Sequence, residues 1–454
     1  MSELSTNSLR EFNMRTLLVK AAVAAALCLA ASASLAAETI PDKPLSLDDC
    51  VSIALAKNPQ LISSEQQVVS ARASLTRARS DYYPQLSLAA TEGLVSRSSA
   101  FSTDTTAGSS GSDTRQQLDL TARMTLWRHG RQESVAQSAA SLQAATWDHS
   151  SAIQSLISEV ARNYYAVLAA RQLVGVAEAG VESAQLHLEQ VKARVAIGVT
   201  AEVEVFPAED DLARARLDLI DARGALRSAF AQLKNSLGLS PETTLDLSEA
   251  ALPEAQQIPS LKESLQLALA HRPEMLAGDA SLRVSRYALT QARLRRGPLP
   301  EVGGEYAKGY SDWEARDPSW SLLLSLSWPL FDGRATEADV TSAQASARRS
   351  EADLQRVTNQ VGLEVENAVV DLERTQERLT ATAKSVQAAE ARLAAAEGKY
   401  RQGVGILLEV IDARVAVTTA RATQVRARYD YQTALVELQR AMGTLAAPQS
   451  GDAP

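Results

Sequence analysis

The sequence predicts a mostly helical protein that also contains four β-strands, two in each half of the chain. Three observations predict this fold class: apolar residues recur at every seventh position over long stretches, two segments alternate with a period of two, and one plan occurs twice. The composition agrees, because 45% of the residues are apolar and only 4% are aromatic. Such a mixture suits long, closely packed helices better than a bulky globular core.

The amino terminus is typical of an export signal. Basic residues precede an apolar run at residues 21–30, and residues 34–36 fit the small-x-small cleavage rule. We therefore predict a signal peptide over residues 1–36, since the run is shorter than the ~20 residues of a transmembrane helix. Leu27 stands where a lipoprotein signal has a small residue before the cysteine, so we expect no lipid anchor at Cys28.

Charge and residue counts exclude several functional classes. The formal net charge is −8 and no cluster of Lys or Arg dominates a segment, so nucleic acid is not an expected partner. Two cysteines exclude a disulfide scaffold and leave little for a metal or iron–sulfur site. No catalytic constellation is present, so we predict neither an enzyme nor a cofactor or metal. The four histidines are expected on helix surfaces or in loops: His129, His149, His187 and His271.

The chain contains a duplicated unit. The segment Ser46–Pro59 recurs as Ser260–Pro273, and Gly198-Val199 recurs as Gly403-Val404. We divide the mature chain into a first repeat at residues 37–250 and a second repeat at 251–445, each with a helix, two strands and a long helical hairpin. Residues 446–454 are predicted to form a disordered tail.

A seven-residue repeat predicts the long helix of each half. The repeated positions are Val160, Val167, Val174, Val181, Leu188 and Val195, and then Val365, Leu372, Leu379, Val386, Leu393 and Tyr400. A sustained heptad indicates coiled-coil packing. Each helix is expected to run for about 60 residues, or roughly 90 Å, and to end near Gly198 or Gly403. A second heptad follows each glycine, so both halves should end in an antiparallel helical hairpin.

Period-two segments predict the strands. Residues 117–126 alternate strictly, and in residues 320–328 three leucines lie between Trp320 and Trp328 on one face. Leucines bounded by aromatic residues are typical of the lipid-facing stripe of a membrane barrel. A strand packed on a soluble core is the alternative. Partner strands are expected at residues 85–95 and 301–310, with polar loops between the members of each pair.

Four strands cannot close a membrane barrel, since the smallest barrels have eight, and an open edge is not tolerated in lipid. If these strands are membranous, several copies must therefore pool them. Three copies would give twelve strands.

The order of these features resembles the TolC family of outer-membrane efflux and secretion channels. The resemblance covers nearly all of the mature chain: tandem halves, the Ala-Leu-Ala-x-x-x-Pro opening, two strand pairs and glycine-marked helix tips. It implies a homotrimer with a shared twelve-stranded transmembrane β-barrel and a long antiparallel coiled-coil α-barrel that extends into the periplasm. It further implies a periplasmic adaptor protein and an inner-membrane pump of RND, ABC or MFS type. The cargo would be drugs, metal ions or polypeptides.

The resemblance also assigns site residues. The adaptor-contact tips would be Gly198, Val199, Gly403 and Val404. The periplasmic gate would consist of Tyr400, its acidic partner Glu204, and the acidic pair Glu409 and Asp412. The family's arginine at this tip is replaced by Gly405, so the resemblance does not extend to the family's ion-pair latch. In a trimer the acids would form carboxylate rings that attract blocking cations. Acids at helix starts also have an ordinary explanation, because they complement the helix dipole.

The predicted localisation is the outer membrane of a Gram-negative bacterium, where the protein would act as a passive exit duct. A periplasmic coiled-coil structural or adaptor protein is the competing hypothesis. It accounts for the heptads and the export signal, but it does not account for the strand pairs or for the apolar stripe bounded by Trp320 and Trp328. The channel hypothesis places that stripe in contact with outer-membrane lipid.

Overall fold

The computed structural model describes residues 43–96, 112–198, 201–248, 259–311, 314–315 and 317–445. The predicted signal peptide, the predicted tail and Val199 lie outside these residues. The described helices and strands belong to one compact unit that begins at Leu45.

The two halves of this unit contain the same succession of elements. The first half comprises α1 (Leu47–Lys57), α2 (Pro59–Ser80), β1 (Gln85–Ser96), β2 (Ser112–Arg128), α3 (Arg131–Ala196), a 3-10 turn (Glu202–Glu204) and α4 (Val205–Ser236). The second half comprises α5 (Leu261–His271), α6 (Pro273–Leu294), β3 (Leu299–Ser311), β4 (Glu314–Ala315), β5 (Ser319–Ser327), α7 (Ala335–Arg401) and α8 (Leu407–Ala441). All four predicted strands are present, and each is slightly displaced or extended relative to the alternating segment that predicts it.

Both halves open on the same capping arrangement. The Asp49 backbone N–H donates to Ser46 Oγ, and the Ser46 N–H donates to the Asp49 carboxylate at 2.9 Å. Ser260 and Glu263 repeat this capping box before α5. Reciprocal bonds of this kind satisfy backbone donors that a helix start leaves unpaired. The recurring serine therefore fixes where each half begins its helices.

The long helices follow the predicted heptads. Helix α3 has 66 residues and α7 has 67, which corresponds to about 100 Å each. Helix α3 packs along α4 and α8, and α7 packs along α8, so the two hairpins lie side by side. The best-buried heptad side chains are Val160, Val167, Val365 and Leu372. Alanines and threonines between them keep the helix axes close.

Two glycines hold the helical hairpins against the shorter helices. Gly238 and Gly443 follow the last residues of α4 and α8 with φ values of 69° and 72°. A Cβ at Gly238 would lie 2.6 Å from the Lys57 carbonyl oxygen, and one at Gly443 would lie 2.9 Å from the Arg272 backbone nitrogen. Only glycine combines this backbone conformation with such a close approach. The base of each hairpin is thereby fixed to the junction between the two short helices of its own half.

The sheet is antiparallel in the order β1-β2-β3-β5, and the short β4 pairs with the end of β3. Directly opposed pairs such as Leu88 with Leu120, and Tyr306 with Trp320, belong to one mostly apolar face, which also carries Lys308 opposite Leu120. The other face carries an Arg123–Glu305 ion pair at 3.2 Å. In the described chain the outer edges of β1 and β5 have no partner strand.

Candidate functional site

The hairpin tips lie at the ends of α3 and α7. Gly198 and Gly403 adopt φ values of 73° and 75°, and their N–H groups donate to the carbonyls of Val195 and Tyr400. This left-handed conformation ends a helix and favours glycine. Val404 is 76% exposed at the second tip. Val199, the equivalent residue of the first tip, is outside the described residues.

The structure brings together two of the four predicted gate residues. The Tyr400 hydroxyl, on the last turn of α7, donates a hydrogen bond of 3.3 Å to the Glu204 carboxylate. Glu204 reaches this position because the 3-10 turn precedes α4 directly. Burial, followed by the negative charge of Glu204, raises the pKa of the Tyr400 phenol, so the phenol remains a hydrogen-bond donor. The contact joins the first-half tip to the second-half tip within one chain.

An arginine that was not among the predicted gate residues completes this contact. Arg194, on the last turns of α3, places its guanidinium carbon 4.6 Å from the centre of the Tyr400 ring. Its Nη1 donates to the Tyr400 carbonyl oxygen at 3.3 Å. A cation over an aromatic face contributes about 0.5–2 kcal/mol. Gly405 cannot supply the arginine that the resemblance expects at its position, and the arginine that contacts Tyr400 comes from α3 of the same chain.

A second polar group lies beneath Tyr400. His187 is 1% exposed, and its ring centre is 6.1 Å from that of Tyr400 in an edge-to-face arrangement. Burial, and then the nearby Arg414 cation, lowers the pKa of His187 to about 4. Arg414, on α8, donates to the Ser183 carbonyl of α3 at 2.8 Å and to Glu397 of α7 at 3.1 Å. Three helices therefore meet at this arginine.

The expectation that His187 lies on a helix surface or in a loop was wrong. Ala184, His187, Leu188 and Val191 follow the spacing of one helix face, and all four are buried. That spacing is a signal that could have identified His187 as an interior residue. We define the tip cluster as His187, Arg194, Glu204, Glu397, Tyr400 and Arg414.

The Tyr400 hydroxyl bonds to Glu204 and not to Glu409 or Asp412. Both are exposed on the first turns of α8. Asp412 lines a groove of about 930 Å³ between the hairpins, together with Asp211 and Arg414. Burial raises the pKa of Asp211 there. In the described part of the chain, no three His, Cys, Asp or Glu side chains are grouped as ligands of a metal would be.

The predicted belt residues lie at both ends of β5. Trp320 is 79% exposed at its start, and Trp328 is 56% exposed immediately after its end. The leucines between them on the same face are exposed as well: Leu322, Leu324 and Leu326. Among the helices described, none contains a stretch long and apolar enough to cross a membrane.

Comparison with known proteins gives one consistent result. The outer membrane efflux protein family matches residues 50–239 and 264–444. Protein CyaE of Bordetella pertussis is 28% identical over 407 residues, which covers 88% of this chain and 84% of the relative. Outer membrane protein TolC of Vibrio cholerae is 26% identical over 404 residues, with 86% and 88% covered.

Solved structures show the same fold. The outer-membrane channel OprN superposes with a TM-score of 0.76 at 23% identity, covering 87% of this chain and 89% of OprN. The CmeC outer membrane channel of Campylobacter jejuni gives a TM-score of 0.78 at 18% identity, with 89% and 87% covered. At these identities the likeness concerns the fold alone.

Proposed function

Because this chain belongs to the outer membrane efflux protein family and is an outer-membrane export channel of a Gram-negative bacterium, we propose that three copies form one passive duct. One observation carries this proposal: an apolar sheet face with a free edge on either side is attached to a pair of helical hairpins about 100 Å long.

The sheet supports a barrel that several copies share. Exposed Leu86, Leu88, Leu322 and Leu324 need an apolar surrounding. The outer backbone groups of β1 and β5, which no strand of the described chain pairs, need partners inside lipid. Pairing β5 of one copy with β1 of the next satisfies both edges. Three copies contribute twelve long strands, and a barrel of twelve is within the known range of membrane barrels. Trp320 and Trp328 would then lie at the borders of the apolar band.

The hairpins would form the periplasmic part of the duct. We propose that Tyr400 and Glu204 hold its entrance closed, while Glu409 and Asp412 give the entrance an acidic lining. The hydrogen bond between the two tips of one chain supports the first role. Exposure of both acids on α8 supports the second role.

The names of two relatives support the choice of partners. One relative in Pseudomonas aeruginosa is an alkaline protease secretion protein, and another is a pyoverdine export outer membrane protein. We propose that this duct meets a periplasmic adaptor at Gly198, Val199, Gly403 and Val404, and that a pump of RND, ABC or MFS type supplies the energy. The cargo would be drugs, metal ions or polypeptides. The chain itself would do no chemistry, and it would consist of two repeats at 37–250 and 251–445.

The test is planar-bilayer conductance of the detergent-extracted protein, with its mass measured in the same detergent. We expect a trimer that forms discrete channels. A monomer that stays soluble without detergent and shows no conductance would overturn the duct and favour the coiled-coil adaptor instead.

A further inference from the structure

His187 is a buried ionisable group at the place where the two hairpins meet. Its neighbours on α3, Ala184, Leu188 and Val191, belong to an apolar cluster that also contains Leu212 of α4 and Leu407 of α8. Within the described chain its Nε2 atom has no hydrogen-bond partner. Burying a polar nitrogen without a partner costs about 1–3 kcal/mol. The apolar packing around His187 must therefore offset this free-energy cost.

Burial, and then the Arg414 cation, oppose a second proton on the His187 ring, whereas the Glu397 carboxylate favours it. The Arg414 guanidinium faces it from α8, the Glu397 carboxylate from α7, and the Arg194 guanidinium lies over the same Tyr400 ring. Arg414 donates hydrogen bonds to Glu397 and to the Ser183 carbonyl. The Glu397 carboxylate is therefore already paired with a cation. Helix α4 adds Asp211, beside Arg414. A protonated imidazole would therefore add a third cation to a tip cluster that already contains Arg194 and Arg414.

We propose that His187 is a proton sensor that opens the duct: when its ring gains a proton, α3 separates from α7 and α8, and Tyr400 is released from Glu204. This inference rests on the proposed function, because it assumes that the Tyr400 contact closes the entrance. The ligand it implies is the proton, supplied from the periplasmic side.

The direction of the effect follows from linkage. The pKa of His187 is about 4 in the packed tip, and opening would return it to the ordinary value of 6.5. The packed tip is thus fully stable above pH ~6.5 and loses stability as the pH falls towards ~4. Between about pH 7 and about pH 5, the ratio of open to closed tips should rise about 20-fold for each copy that opens.

Carboxylates also titrate in acid, and they must be separated from the histidine. Side-chain carboxyl groups of model peptides gain their proton mainly below pH ~4.3. A measurement between about pH 7 and about pH 5 therefore favours the imidazole. A variant without the imidazole retains every carboxylate, Asp211 included, and serves as the reference for their contribution.

The experiment measures single-channel open probability in planar bilayers at about pH 7, 6 and 5 on the periplasmic side. It compares the unmodified trimer with His187→Gln and His187→Phe, which cannot be protonated; Phe also keeps a ring against Tyr400. His271→Gln is the matched control, because His271 is exposed at the end of α5. We expect the unmodified protein and the control to open at least about 20-fold more at the lowest pH, and the two His187 variants to change less than about threefold.

Three results would overturn the sensor. The first is an unmodified channel whose open probability does not change between these pH values. This result is obtained without any variant. The second is a His187 variant that retains the full response, since the carboxylates would then be responsible. The third is a control that loses the response together with the His187 variants. Absence of channels at every pH would instead contradict the proposed duct, so the two failures are distinguishable.

Discussion

The hydroxyl of Tyr400 lies 3.3 Å from the Glu204 carboxylate, although 196 positions separate the two residues in the chain. The arginine that stacks on the same tyrosine comes from α3, not from the second tip. The contact between hairpins is therefore made within each copy. Under the proposed function, closure of the entrance would depend on the packing of α3, α4, α7 and α8 of one chain.

Removing the Tyr400 hydroxyl should weaken the closed entrance. Tyr400→Phe deletes the donor but keeps the ring under Arg194, so we expect a loss of about 1 kcal/mol, or roughly a fivefold rise in the ratio of open to closed channels. Single-channel recording at neutral pH measures this ratio. Tyr287→Phe on α6 is the control and should leave it unchanged. An unaltered ratio in Tyr400→Phe would show that the hydrogen bond does not hold the tip.

Neutralising the acidic lining should weaken block by multivalent cations. Glu409→Gln combined with Asp412→Asn removes two charges per copy while preserving the size of the side chains, and we expect the blocking concentration to rise roughly tenfold. The measurement is a titration of single-channel current with a divalent or trivalent ion. Glu182→Gln combined with Glu189→Gln removes the same charge from the exposed face of α3. If both double variants behave alike, the acids of α8 have no special role.

The glycine at the base of each hairpin should not tolerate a methyl group. Gly238→Ala forces a side chain into the left-handed region and towards the Lys57 carbonyl, so we expect a loss of about 2–4 kcal/mol. Gly224→Ala in α4 is the matched control, because a Cβ there meets no atom of the described chain within 4 Å. It should gain up to about 1 kcal/mol. Thermal unfolding in detergent compares the two, and equal melting temperatures would contradict the close approach.

The stability lost on truncating a leucine of α7 should depend on how deeply that leucine is buried. Leu372 is 1% exposed, and Leu372→Ala should cost about 3 kcal/mol because it leaves a cavity. Leu363, on the same helix, is 52% exposed, and Leu363→Ala should cost less than about 1 kcal/mol within a single chain. Unfolding of the two variants by denaturant gives the difference. A larger loss at Leu363 would show that the exposed side of α7 is covered by another copy.

Much of the fold was predictable because its signals are local. Heptads and alternating segments reflect the periodic burial of helices and strands, and capping serines mark helix starts. All three occur in the sequence in the order that the structure has. The tip cluster was only partly predictable. Tyr400 and Glu204 were identified by resemblance, whereas Arg194 and Arg414 were missed because their roles depend on which helices become neighbours. His187 was misjudged although Ala184, Leu188 and Val191 mark the same helix face as buried.

The length of α3 and α7 has a mechanical consequence. Neither helix contains a proline, and each runs without interruption from the sheet to the tip. Sharp kinks in helices need a proline, a π-bulge or a comparable defect, so each helix behaves as a stiff rod over most of its length. A tip that swings outward must then rotate a rod whose other end is anchored beside the sheet. Small angular changes near the sheet would become large displacements at the tip, as they do at the end of a long lever.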